Sequence, residues 1–396
     1  MFILNCIYSN RKYTKPPFRH LIRMIILFIL FVFNSCISQF IPSAGISADL
    51  LVVEGLITDQ PGQNIIKLSL SMPLGGRSIA RPLSGGSVTV SDDIGNDYNL
   101  SETIEGTYVP DASFQGVVGR TYTLHVNSGP SRKNINYIST PVLLKQVPPI
   151  DTVYYEKEVL GRAADGYSSD EGCQIYLATH DPENQCKFYR WEYEETWEFS
   201  LPYIVPNNHC WRTEYSSYIN IKNTSSLSED KVVKFPLNFV TNNTDRLKEK
   251  YSILVKQYSL NEEEYAYWEK LQNTIEQVGS LYDMTPESFP SNILCIERPE
   301  EKVLGYFSVS GVKSKRIFIK DQFRGIVDLY TDCANAVIGP VETPAPANLT
   351  LGINAWVIID HREPPPPYRI ITFIKGCADC TSRGTTVEPD FWKDSK

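Results

Sequence analysis

Short runs of alternating apolar and polar residues recur along the chain from residue 48 onward. Residues 64–70 (NIIKLSL) and 87–91 (SVTVS) alternate with a period of two, which is the pattern of a half-buried β-strand. Turn sequences such as residues 59–62 (DQPG) separate these runs. The spacing predicts a mainly β fold that begins with an Ig-like or transthyretin-like β-sandwich domain over residues 48–147.

The same pattern continues beyond the Pro-containing linker at residues 147–150, where we expect a larger β-rich domain to begin and to extend over residues 148–396. The predicted strands of both domains lie at residues 51–57, 64–70, 87–91, 107–109, 121–126, 151–159, 174–179, 188–199, 218–221, 232–239, 251–258, 303–309, 316–320, 356–360 and 368–374. Residues 165–172, 311–315 and 338–351 are polar, basic or Pro-rich, which predicts loops.

Residues 188–199 (FYRWEYEETWEF) are the most strongly patterned strand of the second domain. Odd positions carry aromatic residues, including Trp191 and Trp197, and even positions carry charged or polar ones such as Arg190. At period two the aromatic residues share one face of the strand. That face is either core beneath a second layer or a platform on which sugars or other flat ligands stack.

The apolar period changes to that of a helix near residues 260–278. Ser259 and Glu262 have the spacing of a capping box, and Gly279 is suited to the C-terminal cap. Apolar residues that include Tyr267 and Trp268 form an amphipathic stripe. We expect this helix to pack on a sheet face or to cover an open end, and a partner-binding helix is the alternative. Trp268 joins Trp191 and Trp197 as a candidate for contact with a ligand or partner.

The N-terminal stretch at residues 24–36 (MIILFILFVFNSC) resembles a signal sequence. Its apolar run of nine residues is too short to span a bilayer but fits a signal peptide, and basic residues precede it. It also resembles a bacterial lipobox, although Phe33 stands where an aliphatic residue is usual. We expect a lipoprotein signal peptide at 1–35, acylation of Cys36 and a tether at 36–47; a secretory signal cleaved nearby is the alternative.

Charge further limits the partners. The chain has 38 Lys and Arg and 46 Asp and Glu, and the first 35 residues hold five of the basic residues and no acidic ones. The remaining 33 basic residues leave a balance of −13, without a basic block of the kind that binds nucleic acid. An acidic surface is repelled by anionic lipid, so attachment to the membrane would depend on the lipid at Cys36.

Seven cysteines follow Cys36, all in the predicted second domain. Disulfides are the default state outside the cytoplasm, whereas zinc binding and redox chemistry are alternatives for the Cys377-x-x-Cys380 motif. We expect Cys333 to bond to Cys377 or Cys380, and Cys173 to pair with Cys186. No cofactor and no bound metal are predicted.

Catalytic motifs offer little support for an enzyme. No GxSxG, HExxH or SxxK arrangement accompanies the histidines, and the sequence contains no P-loop. A hydrolase that uses paired carboxylates such as Glu194 and Glu195 is an alternative, but neighbours on a strand point to opposite faces. We therefore expect no catalytic residues and a non-enzymatic protein.

Five segments occur in one order: LVVEGLITDQPG, RWEYEETWEF, YSILVKQYSL, VLGYFSVSGVKSKRIFI and CADCTSRGTTVEPDFW. With the lipobox-like cysteine, they resemble the Bacteroidota outer-membrane lipoproteins of the domain-of-unknown-function family 4249 (DUF4249). The resemblance implies a lipid-anchored protein at the cell surface or the periplasmic face of the outer membrane. It also implies an accessory, substrate-capturing role beside a TonB-dependent transporter. A structural or adhesive surface module is the alternative.

Overall fold

The structure is a computed structural model that describes residues 49–71, 81–162, 169–276, 291–345, 347, 349–350, 352–361 and 366–393. All of them fall in one compact unit, which consists of Ala48–Met72 and Gly76–Lys396. Cys36, the leader, the tether and Gly279 lie outside the described residues. Within the described ranges, no helix is both long enough and apolar enough to cross a membrane.

The prediction of a mainly β protein is confirmed. The strands before residue 148 are β1 (Leu51–Thr58), β2 (Ile65–Leu70), β3 (Arg81–Pro82), β4 (Ser87–Asp92), β5 (Asp97–Ile104), β6 (Thr107–Val109), β7 (Thr121–Asn127), β8 (Asn136–Ser139) and β9 (Val142–Leu143). The next are β10 (Ile150–Arg162), β11 (Ser169–His180), β12 (Phe188–Ser200), β13 (Tyr203–Ile204), β14 (His209–Tyr215), β15 (Asn220–Asn223), β16 (Lys231–Val240) and β17 (Tyr251–Ser259). The remaining elements are helix α1 (Glu262–Glu276), β18 (Ile293–Cys295), β19 (Leu304–Ser310), β20 (Val312–Ile319), β21 (Ala336–Pro340), β22 (Trp356–Asp360), β23 (Tyr368–Thr372) and the short helices α2 (Lys375–Ala378) and α3 (Asp390–Lys393).

The first sheet joins strands from both predicted domains. Its order is β18-β8-β7-β4-β5-β6-β2-β1-β19, with β3 added to β2 and β9 added to β7. Both ends of this path, β18 and β19, come from beyond residue 290, and β19 pairs in parallel with β1. The boundary near residue 147 and the sandwich layout stay predictions, but the sheet of the first block is completed by residues from the second.

Three further sheets form the rest of the described structure. Their orders are β10-β11-β16, β14-β12-β17-β20 with β15 added to β12, and β13-β22-β23-β21. The aromatic side of β12 lies in the largest core, where Tyr189 and Trp191 are fully buried against Phe235 and its neighbours. The alternation read from the sequence is thus the alternation of a packed strand.

Helix α1 is confirmed, but its predicted capping box is wrong. Ser259 ends strand β17, and its hydroxyl donates to the Lys145 carbonyl at 2.7 Å and accepts from the Gly311 amide at 3.2 Å. The helix begins at Glu262, and the Tyr265 amide donates to the Asn261 carbonyl. The Ser259 hydroxyl is therefore engaged in hydrogen bonds to residues distant in the chain, and it does not cap helix α1 as the local sequence pattern had predicted.

Three predicted loops contain strand residues. Residues 312–315 belong to β20, residues 169–172 to β11, and residues 338–340 to β21. Only Gly311 separates β19 from β20, and a Cβ there would lie 2.6 Å from the Lys145 carbonyl oxygen. A single glycine thus lets the chain pass from one sheet to another, where the basic composition had predicted an exposed connection.

Two disulfides hold the C-terminal segment. Cys333 bonds to Cys377, as one of the predicted pairings had it, and Cys210 bonds to Cys380. The predicted pairing of Cys173 with Cys186 is wrong, because both thiols are free and buried. Cys173 lies in β11, seven residues before the strand ends at His180. At 3.3 Å per residue, Cys173 is about 23 Å from the end of the strand, and Cys186 lies in the connection that follows. A disulfide needs Cα atoms within about 7 Å.

Candidate functional site

A cleft of about 190 Å³ lies between the first sheet, strand β12 and helix α1. We call it the β1–α1 cleft. Its lining residues come from β1, β2, β12, α1 and β19 and are Val53, Glu54, Gly55, Leu56, Ile65, Lys67, Arg190, Glu192, Tyr267, Trp268, Tyr306 and Ser308.

Strand register builds the sheet side of the cleft. Glu54 of β1 lies opposite Lys67 of β2 and Tyr306 of β19, so these three residues form one row across three strands. A second row of Ile65, Leu56 and Ser308 lies two residues further along β1 and therefore on the same face. The inward residues of β1 alternate with these and form the core of the first sheet. One strand thus supplies both the core and the cleft.

Gly305 allows β19 to lie close against β1. Its φ is +85°, and a Cβ would lie 2.0 Å from the carbonyl oxygen of Val53. Only glycine adopts such a backbone angle without strain and leaves the space free. Because β19 lies close to β1 at Gly305, the next residues of β19 bring Tyr306 and Ser308 into the cleft.

Arg190 of β12 is the buried cation of the site. Its guanidinium lies 4.6 Å from the ring centroid of Tyr258 and 4.4 Å from that of Trp268, and it donates to Glu192. Burial opposes ionisation of Glu192, but Arg190 and the Tyr258 hydroxyl outweigh it and lower the pKa of that carboxyl. The Arg190 Nε atom is buried and has no hydrogen-bond partner among the described residues.

Glu264, in the first turn of α1, is fully buried behind the lining residues. Its Oε1 accepts from Trp268 Nε1 at 3.3 Å, whereas its Oε2 has no partner in the described part of the chain. Burial raises the pKa of Glu264, and hydrogen bonds from Ser308 and Trp268 and the charge of Arg190 offset this only in part. The site therefore opposes ionisation of this carboxyl, although a cation lies near it.

Aromatic rings form the helix side of the cleft. The ring centroid of Tyr267 lies 5.1 Å from that of Tyr306 and 5.3 Å from that of Trp268. Tyr267 and Trp268 are both half-buried. An open cleft that combines aromatic rings with a few charged groups is typical of ligand sites.

Of the three predicted tryptophans, only Trp268 lines the cleft. Trp191 is 0% exposed and its Nε1 donates to Gln257 at 2.8 Å; Trp197 is 2% exposed and its Nε1 donates to Asp245 at 3.3 Å. The prediction that Trp191 and Trp197 contact a ligand or partner is therefore wrong. Their rings and polar atoms are already taken by the core.

One serine–histidine–glutamate cluster lies elsewhere on the surface. Ser200 Oγ is 2.9 Å from His209 Nδ1 and donates to Glu249 at 3.3 Å, and Glu249 is 4.0 Å from the same Nδ1. A catalytic triad uses one ring nitrogen for the nucleophile and the other for the carboxylate. Both contacts share Nδ1 here, so the cluster joins β12 to its neighbours rather than reproducing a triad.

The carboxylate pair Glu194 and Glu195 divides between two environments. Glu194 pairs with Arg316 at 3.4 Å, whereas Glu195 accepts from the Tyr251 hydroxyl at 2.8 Å and pairs with Arg246 at 3.3 Å. The opposite orientation predicted for strand neighbours accounts for this. Among the described residues, no group of three or more His, Cys, Asp and Glu residues is placed to hold a metal.

Most cleft residues were missed by the sequence analysis. Glu54 and Lys67 lie on consecutive strands, whereas Tyr306 lies on a strand far along the chain, and only the register of β1 with β19 brings Tyr306 to the other two. The available signal was the charged side of β12, where Arg190 needs a partner, together with the aromatic stripe of α1. Those two features meet at Trp268.

The fold and the cleft define a mainly β protein with a candidate ligand site between a sheet face and a helix. The chain belongs to DUF4249, a family described as a domain of unknown function, whose model matches residues 38–316. This range contains every residue of the cleft but ends before Cys333, Cys377 and Cys380. None of the curated proteins compared with the chain matches it.

Proposed function

We propose that this chain is a non-enzymatic, lipid-anchored binding protein of the bacterial outer membrane that captures a ligand for a TonB-dependent transporter. The observation that carries the proposal is the open β1–α1 cleft, in which half-buried rings lie beside charged groups. Such a combination orients a ligand by polar contacts while apolar surface supplies binding free energy.

The location is supported by the sequence. The leader ends in a lipobox-like stretch before Cys36, and the mature chain carries an excess of acidic residues. An acylated Cys36 would hold the protein at the membrane in spite of this charge. The transporter partnership rests on what the resemblance to Bacteroidota lipoproteins implies.

A pull-down from native membranes in mild detergent tests this function. The full chain and its Cys36→Ser variant are compared, and the proteins that copurify are identified by mass spectrometry. We expect the wild type to recover a TonB-dependent transporter in near-stoichiometric amount and the variant to lose both the membrane fraction and the transporter. A membrane-bound variant, together with a wild type that recovers no transporter, would contradict the proposal.

A structural or adhesive module is the second candidate, and one surface favours it. Ile204, Ile359 and Val357 lie on one face of the β13-β22-β23-β21 sheet, opposite the buried Ile358 and Ile370. Ile204 is 56% exposed and Val357 40% exposed. Concentration-dependent self-association that Ile204→Ser abolishes, in a protein that recovers no transporter, would favour this candidate.

A further inference from the structure

The class of ligand can be inferred from the dimensions and charges of the β1–α1 cleft. This inference rests on the proposed function: we propose that the cleft takes one neutral, polyhydroxylated ring, such as the terminal pyranose of a glycan.

Size limits the part of a ligand that enters. The cleft holds about 190 Å³. A protein cavity of about 150 Å³ accommodates benzene, whereas sites that enclose drug-sized molecules hold roughly 300–1,000 Å³. The β1–α1 cleft therefore matches a single six-membered ring, with the rest of a larger ligand left outside in solvent.

Charge argues against an ionic ring. Glu54 lies opposite Lys67 across the β1–β2 pair, and Arg190 contacts Glu192. The four charged residues that line the cleft therefore balance in sign, and burial raises the pKa of Glu264 behind them, which opposes a further negative charge there. A ligand ion would be desolvated without an unmatched counter-charge to receive it.

The polar groups of the cleft suit hydroxyls. A hydroxyl donates one hydrogen bond and accepts others, so neighbouring hydroxyls can bridge a carboxylate and an ammonium group. Glu54 and Lys67 carry those two groups, are exposed, and lie opposite each other in the register of β1 with β2. Arg190, which lines the cleft, has a buried Nε atom without a hydrogen-bond partner among the described residues, and an unsatisfied group of this kind calls for a missing partner.

The aromatic residues suit the apolar face of a pyranose. Tyr267 and Trp268 border the cleft as half-buried rings, and Tyr306 lies beneath them against Tyr267. A purely apolar ring would use these residues but not the Glu54–Lys67 row. A polyhydroxylated ring uses both.

Saturation-transfer NMR on the full chain in detergent tests the proposal. The probes are the neutral methyl glycosides of glucose, galactose, mannose and N-acetylglucosamine, with glucuronate and glucosamine as charged counterparts. We expect at least one neutral glycoside to bind and the charged counterparts to bind at least ten-fold more weakly. Glu54→Gln should weaken binding about ten-fold or more, and Trp268→Ala should abolish it. Glu105→Gln, an exposed carboxylate in the β5–β6 turn, should leave it unchanged.

Three results would overturn the ligand class. They are the absence of binding by every neutral glycoside, a preference for a charged probe, and binding that Glu54→Gln leaves intact. Glu54→Gln decides the matter if Trp268→Ala fails to fold, because Glu54 is exposed. The transporter pull-down is independent of these probes, so a negative result here with a recovered transporter would reject the ligand class alone.

Discussion

Glu264 shows how a single residue ties the cleft to stability. This buried carboxyl has one oxygen without a partner in the described part of the chain, which is unusual in a folded protein, and its neighbours Trp268 and Ser308 line the cleft. The helix backbone at the first turn of α1 favours a negative charge. The loss of hydration of the Glu264 carboxyl on burial outweighs this effect and raises the pKa of Glu264. The residue therefore makes the fold sensitive to pH.

The sign of this sensitivity follows from the raised pKa. Below the ordinary value of 4.5 the carboxyl is protonated in both the folded and the unfolded chain, so it contributes nothing. As the pH rises through the folded pKa, ionisation costs more in the folded state and stability falls. Glu264→Gln should therefore stabilise the protein at pH 8 relative to wild type and show a smaller effect at pH 4. Urea unfolding at the two pH values measures this, and a variant that is less stable at pH 8 would contradict it.

The tryptophans separate into core residues and a cleft residue. Trp191 is fully buried, so Trp191→Ala should lower the free energy of unfolding by about 3–5 kcal/mol. Trp268 is half-buried, and Trp268→Ala should lower the free energy of unfolding by clearly less than Trp191→Ala does. Chemical unfolding followed by circular dichroism compares the two variants. Equal losses would mean that Trp268 is a core residue like Trp191.

At the scale of elements, periodicity predicted most of the longer strands but missed β5 and β14, and it did not predict which strands pair. The predicted bounds of β6 and β22 agree with the structure, and β1, β12 and β17 differ by a residue at one end. Period two reports which residues of a strand are buried, and this is a local property. Short strands such as β3, β9 and β13 carry too few residues for any period to be read.

The parallel pairing of β1 with β19 could not be predicted for a different reason. The two strands are about 250 residues apart, and register depends on the packing of every strand between them. The cleft depends on that register, because Glu54, Tyr306 and Lys67 share a row only when it is formed. The sequence therefore predicted the helix stripe and the charged side of β12 but not the sheet side of the site.

Gly305 tests this pairing directly. Gly305→Ala places a Cβ at a φ of +85° and 2.0 Å from the Val53 carbonyl oxygen. The left-handed backbone alone costs roughly 1–2 kcal/mol, and the clash adds to it, so we expect a loss of at least about 2 kcal/mol in unfolding free energy. Gly95→Ala, also at positive φ but with open space around it, is the matched control and should cost less. Equal costs would mean that the close approach to β1 has no effect on stability.

At the scale of the whole molecule, the C-terminal segment is fastened to the five-stranded sheet. The Cys210–Cys380 disulfide spans 170 residues, and Trp392 Nε1 of α3 donates to Glu198 of β12 at 3.0 Å. The sequence identified the cysteine-rich tail but not Cys210 as a partner, because that residue lies on an edge strand far from the tail. The two disulfides also engage the thiols of Cys377 and Cys380, which a zinc site or a redox-active Cys377-x-x-Cys380 motif would have needed.

Removal of this link should loosen the whole molecule. Cys210→Ser is expected to lower the free energy of unfolding by about 2–5 kcal/mol, since the closed loop is long. Cys295→Ala removes a free buried thiol and serves as the control. Unfolding in guanidinium under non-reducing conditions measures both variants. A Cys210→Ser protein as stable as wild type would show that the bond does not contribute to the fold in solution.

The central claim is that the β1–α1 cleft captures a ligand, and native mass spectrometry of the full chain purified from its own cells tests it most directly. We expect wild type and Glu105→Gln to carry the same bound mass and Glu54→Gln to lose it. A wild type that carries no bound mass, or a mass that persists equally in Glu54→Gln, would contradict the claim.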